Sequence, residues 1–121
     1  IVMDKTNARH LKRSDISDCI DLIVCDASFI SLKTILPAPL ALANEGTRLV
    51  ALIKPQFEVG RERIGKGGIV SSSQVHDEVC QGIKSWLGQL YGWQVLGISE
   101  SPITGAEGNK EFFIGAQLLT N

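Results

Sequence analysis

Long apolar runs are missing from this sequence. The longest, Leu49-Val50-Ala51-Leu52-Ile53, has five residues, against the roughly 20 needed to cross a bilayer. A spanning helix is therefore not expected, and the amino terminus lacks the charge-then-apolar layout of a secretory signal. Cysteine is scarce too: Cys19, Cys25 and Cys80 have neither metal-site spacing nor an even count. That argues against a disulfide framework and for free buried thiols in a reducing cytoplasm. Charge of one sign is also lacking, since 12 basic and 13 acidic side chains give a net charge of −1. A globally basic nucleic-acid binder is excluded, and any such contact has to be local. No internal repeat and no low-complexity tract interrupts the chain.

What is present is the composition of one folded domain: 121 residues, 44% hydrophobic and 21% charged. The chain opens on Ile1-Val2-Met3, apolar from its first residue. This reads as a beginning inside a strand, so a fragment is expected, with part of any site lying upstream. Apolar runs at 20–25 and 49–53 read as buried strands, and the segment 30–43 between them as helical, broken near Pro37 and Pro39. Asn44-Glu45-Gly46 supplies the turn back into the sheet. Together these form a βαβ unit.

Ser73 is the expected N-cap of a helix reaching about Tyr91 and ended by Gly92, with Val75, Val79, Ile83, Leu87 and Leu90 on its inner face. His76, Asp77, Gln81 and Lys84 are assigned to the opposite face. Residues 93–99 and 112–118 read as two strands joined by a turn region too short for a helical crossover, hence antiparallel neighbours. The expected fold is α/β, a mostly parallel Rossmann-like sheet with a C-terminal antiparallel hairpin.

Lys54 follows the 49–53 strand directly, where open α/β sheets bind ligands. The segment after it, Gly60-Arg61-Glu62-Arg63-Ile64-Gly65-Lys66, has the spacing of a phosphate-binding P-loop. That motif needs a hydroxyl after the lysine to hold magnesium, and Gly67 has none. The glycines instead suit a mobile loop whose backbone approaches a ligand, with Arg61, Arg63 and Lys66 available to RNA phosphates. A solvated charged turn is the alternative. Asp26 ends the 20–25 strand and Glu111 precedes the last one, so three charged groups can converge on one sheet edge. His10 and His76 have no partner at metal or triad spacing and are read as surface or capping residues.

Several separated motifs resemble the TlyA family, whose members are described as haemolysins and ribosomal RNA methyltransferases. They are Asp26-Ala27-Ser28-Phe29-Ile30-Ser31-Leu32, Lys54-Pro55-Gln56-Phe57-Glu58 with Gly65-Lys66-Gly67-Gly68, Ser101-Pro102-Ile103-Thr104-Gly105, and Gly108-Asn109-Lys110-Glu111-Phe112. Met3-Asp4-Lys5-Thr6-Asn7-Ala8-Arg9 is similar to the family's segment after its third strand. The resemblance implies an FtsJ-type 2′-O-methyltransferase fold, truncated, with S-adenosylmethionine as donor and a Lys-Asp-Lys-Glu tetrad. Asp26, Lys54 and Glu111 match three of its members, and the first lysine is expected upstream.

Residues 1–121 would then be the C-terminal portion of one methyltransferase domain, without its first strands or an S4-type RNA-binding domain, and inactive alone. Thr6, Asn7 and Asp26 are implied donor contacts, and ribosomal RNA or ribosomal subunits the implied partners. No metal is expected, because the sulfonium loses its charge as the methyl group leaves. Lys54 could serve as base or stay charged to steer the 2′-oxygen, and flanking carboxylates favour the charged form. Without its upstream neighbour, the 20–25 strand would show a bare edge and the isolated chain would self-associate. The competing function is a non-catalytic RNA-binding or cytolytic protein, although no segment has a membrane-binding design.

Overall fold

A computed structural model of the chain describes residues 2–3, 22–60, 63–105 and 108–119. Five strands form one sheet: β1 (Val2–Met3), β2 (Leu22–Cys25), β3 (Arg48–Ile53), β4 (Trp93–Glu100) and β5 (Phe112–Leu118), in the order β1-β2-β3-β5-β4. β1, β2 and β3 run parallel, while β5 lies antiparallel to both β3 and β4. The fold is thus α/β with a mixed sheet and the antiparallel C-terminal pair. The β2 edge expected to lie bare is paired with β1 along Val24 and Cys25.

The helical segment between β2 and β3 is two short helices, α1 (Leu32–Ile35) and α2 (Pro37–Ala41), hinged at Leu36. Pro37 sits at the first position of α2, where its missing N–H costs nothing but stops α1 from continuing. Gly46 then takes φ +91°, a conformation that suits glycine, and turns the chain into β3.

The long helix α3 spans Ser73–Gly88. Its cap is Ser72 rather than Ser73: the Ser72 backbone is extended and its hydroxyl accepts from the Val75 amide at 3.4 Å. It also ends before Tyr91, and the chain turns through Gly92 (φ +82°) into β4. Val79, Ile83 and Leu87 are buried as the stripe requires, with Val75 and Leu90 packed at its margin.

His76 does not lie on the outer face. It is buried, its Nε2 is 2.6 Å from the Val70 carbonyl oxygen, and its ring packs against Phe112 at 5.6 Å. The loop before α3 folds back over the helix's first turn, which helical spacing alone does not reveal.

One core cluster fills the space between the helices and one sheet face, with Ile23, Leu49, Ala51, Ile53, Ile114 and Ala116 meeting Leu32, Ile35, Leu36, Ile83 and Leu87. β3 therefore alternates instead of being buried on both faces, and Val50 is left 37% exposed. Successive side chains of a strand point to opposite faces, and the three helices all pack on the same one. Among the described residues, no helix is long and apolar enough to cross a membrane.

Candidate active site

Three residues meet at one edge of the sheet because of strand direction. β2 and β3 are parallel, so Asp26 and Lys54, each one residue past its strand, emerge side by side. β5 runs the other way, with Phe112 opposite Ile53, so its amino end and Glu111 reach the same edge.

The Lys54 Nζ lies 2.6 Å from Asp26 Oδ1 and donates to the Ser28 hydroxyl at 3.0 Å. Lys54 is 12% exposed and Asp26 60%. The pair thus joins a mostly buried ammonium to an exposed carboxylate, and among the described residues one of the three ammonium donors is left for another acceptor. Glu111 is 8% exposed. Burial pushes its carboxyl above the ordinary value of 4.5; Lys54 pulls it down by charge attraction, and Asp26 pushes it up.

The loop carrying Asp26 and Ser28 is pinned a second time. Glu58, just beyond the 3-10 turn Pro55–Phe57, accepts from the Ser31 hydroxyl at 2.6 Å and from the Leu32 amide at 2.8 Å. It thereby caps α1 from outside the helix and locks the Lys54 turn to the Asp26 loop. Its carboxyl is also raised, burial outweighing these two hydrogen bonds and the charge of Lys33.

Between the two anchors stands Phe29, with φ +66° and 87% of its surface exposed, its ring 4.9 Å from that of Phe57. An aromatic residue in this left-handed region is strained, and such strain concentrates at functional sites. The sequence shows an aromatic near a strand end but not its backbone angle. Gln56 was missed as well: it is 7% exposed, and both ends of its carboxamide lack a partner among the described residues.

The glycine-rich loop is hydrogen-bonded within itself and to Asn109. Gly65 N–H donates to the Ile69 carbonyl at 2.7 Å, and the Asn109 side chain accepts from Val70 N–H at 2.8 Å and donates to the Gly68 carbonyl at 2.9 Å. Arg63 pairs with Glu78 on α3. Arg61, Thr6, Asn7, His10 and Cys19 lie outside the described residues, as does the Lys66 side chain. No cluster of three or more metal-ligating side chains occurs among the described residues.

The family model for FtsJ-like methyltransferases matches residues 1–118. This chain belongs to the FtsJ-like methyltransferase family. It is 39% identical over 121 residues to the 16S/23S rRNA (cytidine-2′-O)-methyltransferase TlyA of Mycobacterium tuberculosis, covering all of this chain and 45% of that protein. It is 42% identical over 115 residues to the putative rRNA methyltransferase YqxC of Bacillus subtilis, covering 94% of this chain and 41% of that one. The solved structure of a putative hemolysin from Streptococcus thermophilus superposes with a TM-score of 0.87 at 39% identity, covering 96% of this chain and 42% of that one. The chain spans less than half the length of these FtsJ-like relatives.

Proposed function

We propose that this chain carries the ribose-activating part of an active site that methylates a 2′-hydroxyl of ribosomal RNA, within a longer protein. The observation that carries this reading is the Lys54 ammonium, fixed by Asp26 and Ser28 at the sheet edge where Glu111 also arrives. A ribose hydroxyl is a poor nucleophile at neutral pH, and a preorganised cation stabilises the charge that develops on its oxygen.

Lys54 acts as that cation rather than as the base. Its nitrogen is held by the Asp26 carboxylate at 2.6 Å and the Ser28 hydroxyl at 3.0 Å, a fixed geometry that suits a positioning charge. Its remaining N–H steers the 2′-oxygen, and Asp26 and Ser28 keep the ammonium from swinging into solvent. Glu111 adds negative charge from the amino end of β5. S-adenosylmethionine, when bound, would supply an electrophilic methyl on a sulfonium that leaves as a neutral thioether, while the 2′-hydroxyl proton passes to solvent water as the new O–C bond forms. Asp26 suits a role toward that donor, because it is bound to Lys54 through Oδ1 yet stays 60% exposed. Thr6 and Asn7 complete the proposed donor contacts.

Arg61, Arg63 and Lys66 are the proposed phosphate-binding residues. Ribosomal RNA within a ribosomal subunit is the proposed partner. The isolated chain is also proposed to self-associate, through the sheet face on which Leu22 and Val50 are exposed. The deciding experiment measures transfer of labelled methyl groups from S-adenosylmethionine to ribosomal RNA by the full-length protein. Native activity with loss in Lys54→Ala is the expected result, and a fully active Lys54→Ala overturns the assignment.

A further inference from the structure

Gly105 lies in the loop between β4 and β5, and backbone conformation does not explain it. Its φ is outside the left-handed region, in contrast to Gly67, Gly68 and Gly108. The requirement is spatial. A methyl carbon built on Gly105 would stand 2.6 Å from the Glu111 carboxyl carbon and 3.2 Å from its Cγ, and would overlap Oε2. Among the other described glycines tested the same way, only Gly65 meets a neighbour under 3.0 Å, and that neighbour is the backbone carbonyl oxygen of Ile69 at 2.9 Å. The space a side chain would fill at Gly105 is thus occupied by the Glu111 carboxylate.

The surrounding loop holds both backbones in place. Gly105 N–H donates to the Asn109 carbonyl at 2.7 Å, and the Gly105 carbonyl accepts from Gly108 N–H at 3.2 Å. Ser101 N–H donates to the Glu111 carbonyl at 2.8 Å, and Asn109 is tied through its side chain to Gly68 and Val70. With both backbones held, an added methyl has to displace the carboxylate.

We propose that Gly105 is a positioning residue whose missing side chain is the slot that sets the Glu111 carboxylate in place beside Lys54. This rests on the methyl-transfer reading for its catalytic consequence but not for its geometry. A misplacement of about 1 Å at a reacting centre costs on the order of 100-fold in rate. Gly105→Ala therefore lowers kcat with little change in KM for RNA or donor.

The experiment uses the full-length protein with Gly105→Ala, Glu111→Asp and the double variant. Glu111→Asp draws the carboxylate back by one methylene, about 1.5 Å along the chain, and relieves the overlap. The double variant is expected to be at least about 3-fold more active than the product of the two single effects. Additive effects, or a Gly105→Ala protein with native kcat, overturn the proposal. If Gly105→Ala fails to fold, Gly105→Ala combined with Glu111→Ala, which empties the slot, has to restore folding, and failure to do so also overturns it.

A carbon-13 titration of the Glu111 carboxyl separates the two readings. Burial holds this carboxyl above its ordinary 4.5 in the native protein, and in Gly105→Ala its titration is expected to shift as the carboxylate leaves its slot. An unshifted titration sinks the slot. A shifted titration with a fully active Glu111→Gln sinks the catalytic reading alone.

Discussion

The Lys54 ammonium sits 2.6 Å from Asp26, one residue past the neighbouring parallel strand, with the Ser28 hydroxyl as its second acceptor at 3.0 Å. The ion pair is asymmetric, a mostly buried cation held by an exposed carboxylate. On the proposed methyl-transfer reading, removing the cation acts on the substrate oxygen, whereas removing the carboxylate acts on the cation's position.

Lys54→Ala is expected to lower kcat by about 100-fold to 1,000-fold, the typical cost of deleting one preorganised charge-stabilising donor. Asp26→Asn should cost less at the chemical step if donor binding is saturated, because Ser28 still holds the ammonium. Single-turnover methylation assays with saturating donor check both. Equal losses for the two variants would contradict the division of roles.

Glu58→Ala is expected to destabilise the fold by about 1 kcal/mol, the usual cost of losing a helix N-cap acceptor. It leaves the Leu32 amide and the Ser31 hydroxyl without their partner. Because the same carboxylate locks the Asp26 loop, activity should fall as well. Denaturant titration gives the first quantity, and an unchanged midpoint would refute it.

Glu58 and Glu111 are both raised above 4.5 by burial, so the native state holds their protons at a pH where the unfolded chain has released them. Their stability contribution is complete below about 4.5 and is lost as the pH rises through the folded values. Glu111→Gln, which cannot ionise, should melt higher than the native protein at pH 7 and lose that advantage near pH 4. Melting temperatures across this range test the sign, and a variant less stable at pH 7 would reverse it.

Phe29 holds φ +66°, so Phe29→Gly should be more stable than Phe29→Ala by about 1 kcal/mol, since glycine alone escapes the left-handed penalty. With 87% of the residue exposed, neither change should unfold the chain. Equal denaturation midpoints would show that the backbone strain is absent.

Arg63 forms an exposed ion pair with Glu78, of a kind worth less than about 1 kcal/mol. Arg63→Ala should therefore barely alter stability. RNA affinity should weaken, and the salt dependence of binding should lose about one phosphate contact. An unchanged salt slope would remove Arg63 from the RNA surface.

The sequence alone determined the elements. Apolar runs marked β2 and β3, Pro37 broke the segment between them, and the Val79, Ile83 and Leu87 spacing marked α3, because these signals are local. Asp26 and Lys54 were legible as neighbours for the same reason, each being the first charged residue past a strand of a βαβ unit. The separated motifs also carried the family.

Tertiary structure decided what depends on residues far apart in the chain. Sequence placed β4 and β5 side by side but did not place β5 between β3 and β4, the arrangement that brings Glu111 to Lys54. The burial of His76, the pairing of Arg63 with Glu78, and the carboxylate slot at Gly105 follow from loops folding back over elements already formed. Periodicity records which face of a helix or strand is apolar. It contains nothing about which loop will later cover that face, because that contact is set by packing between segments and not by the spacing within one.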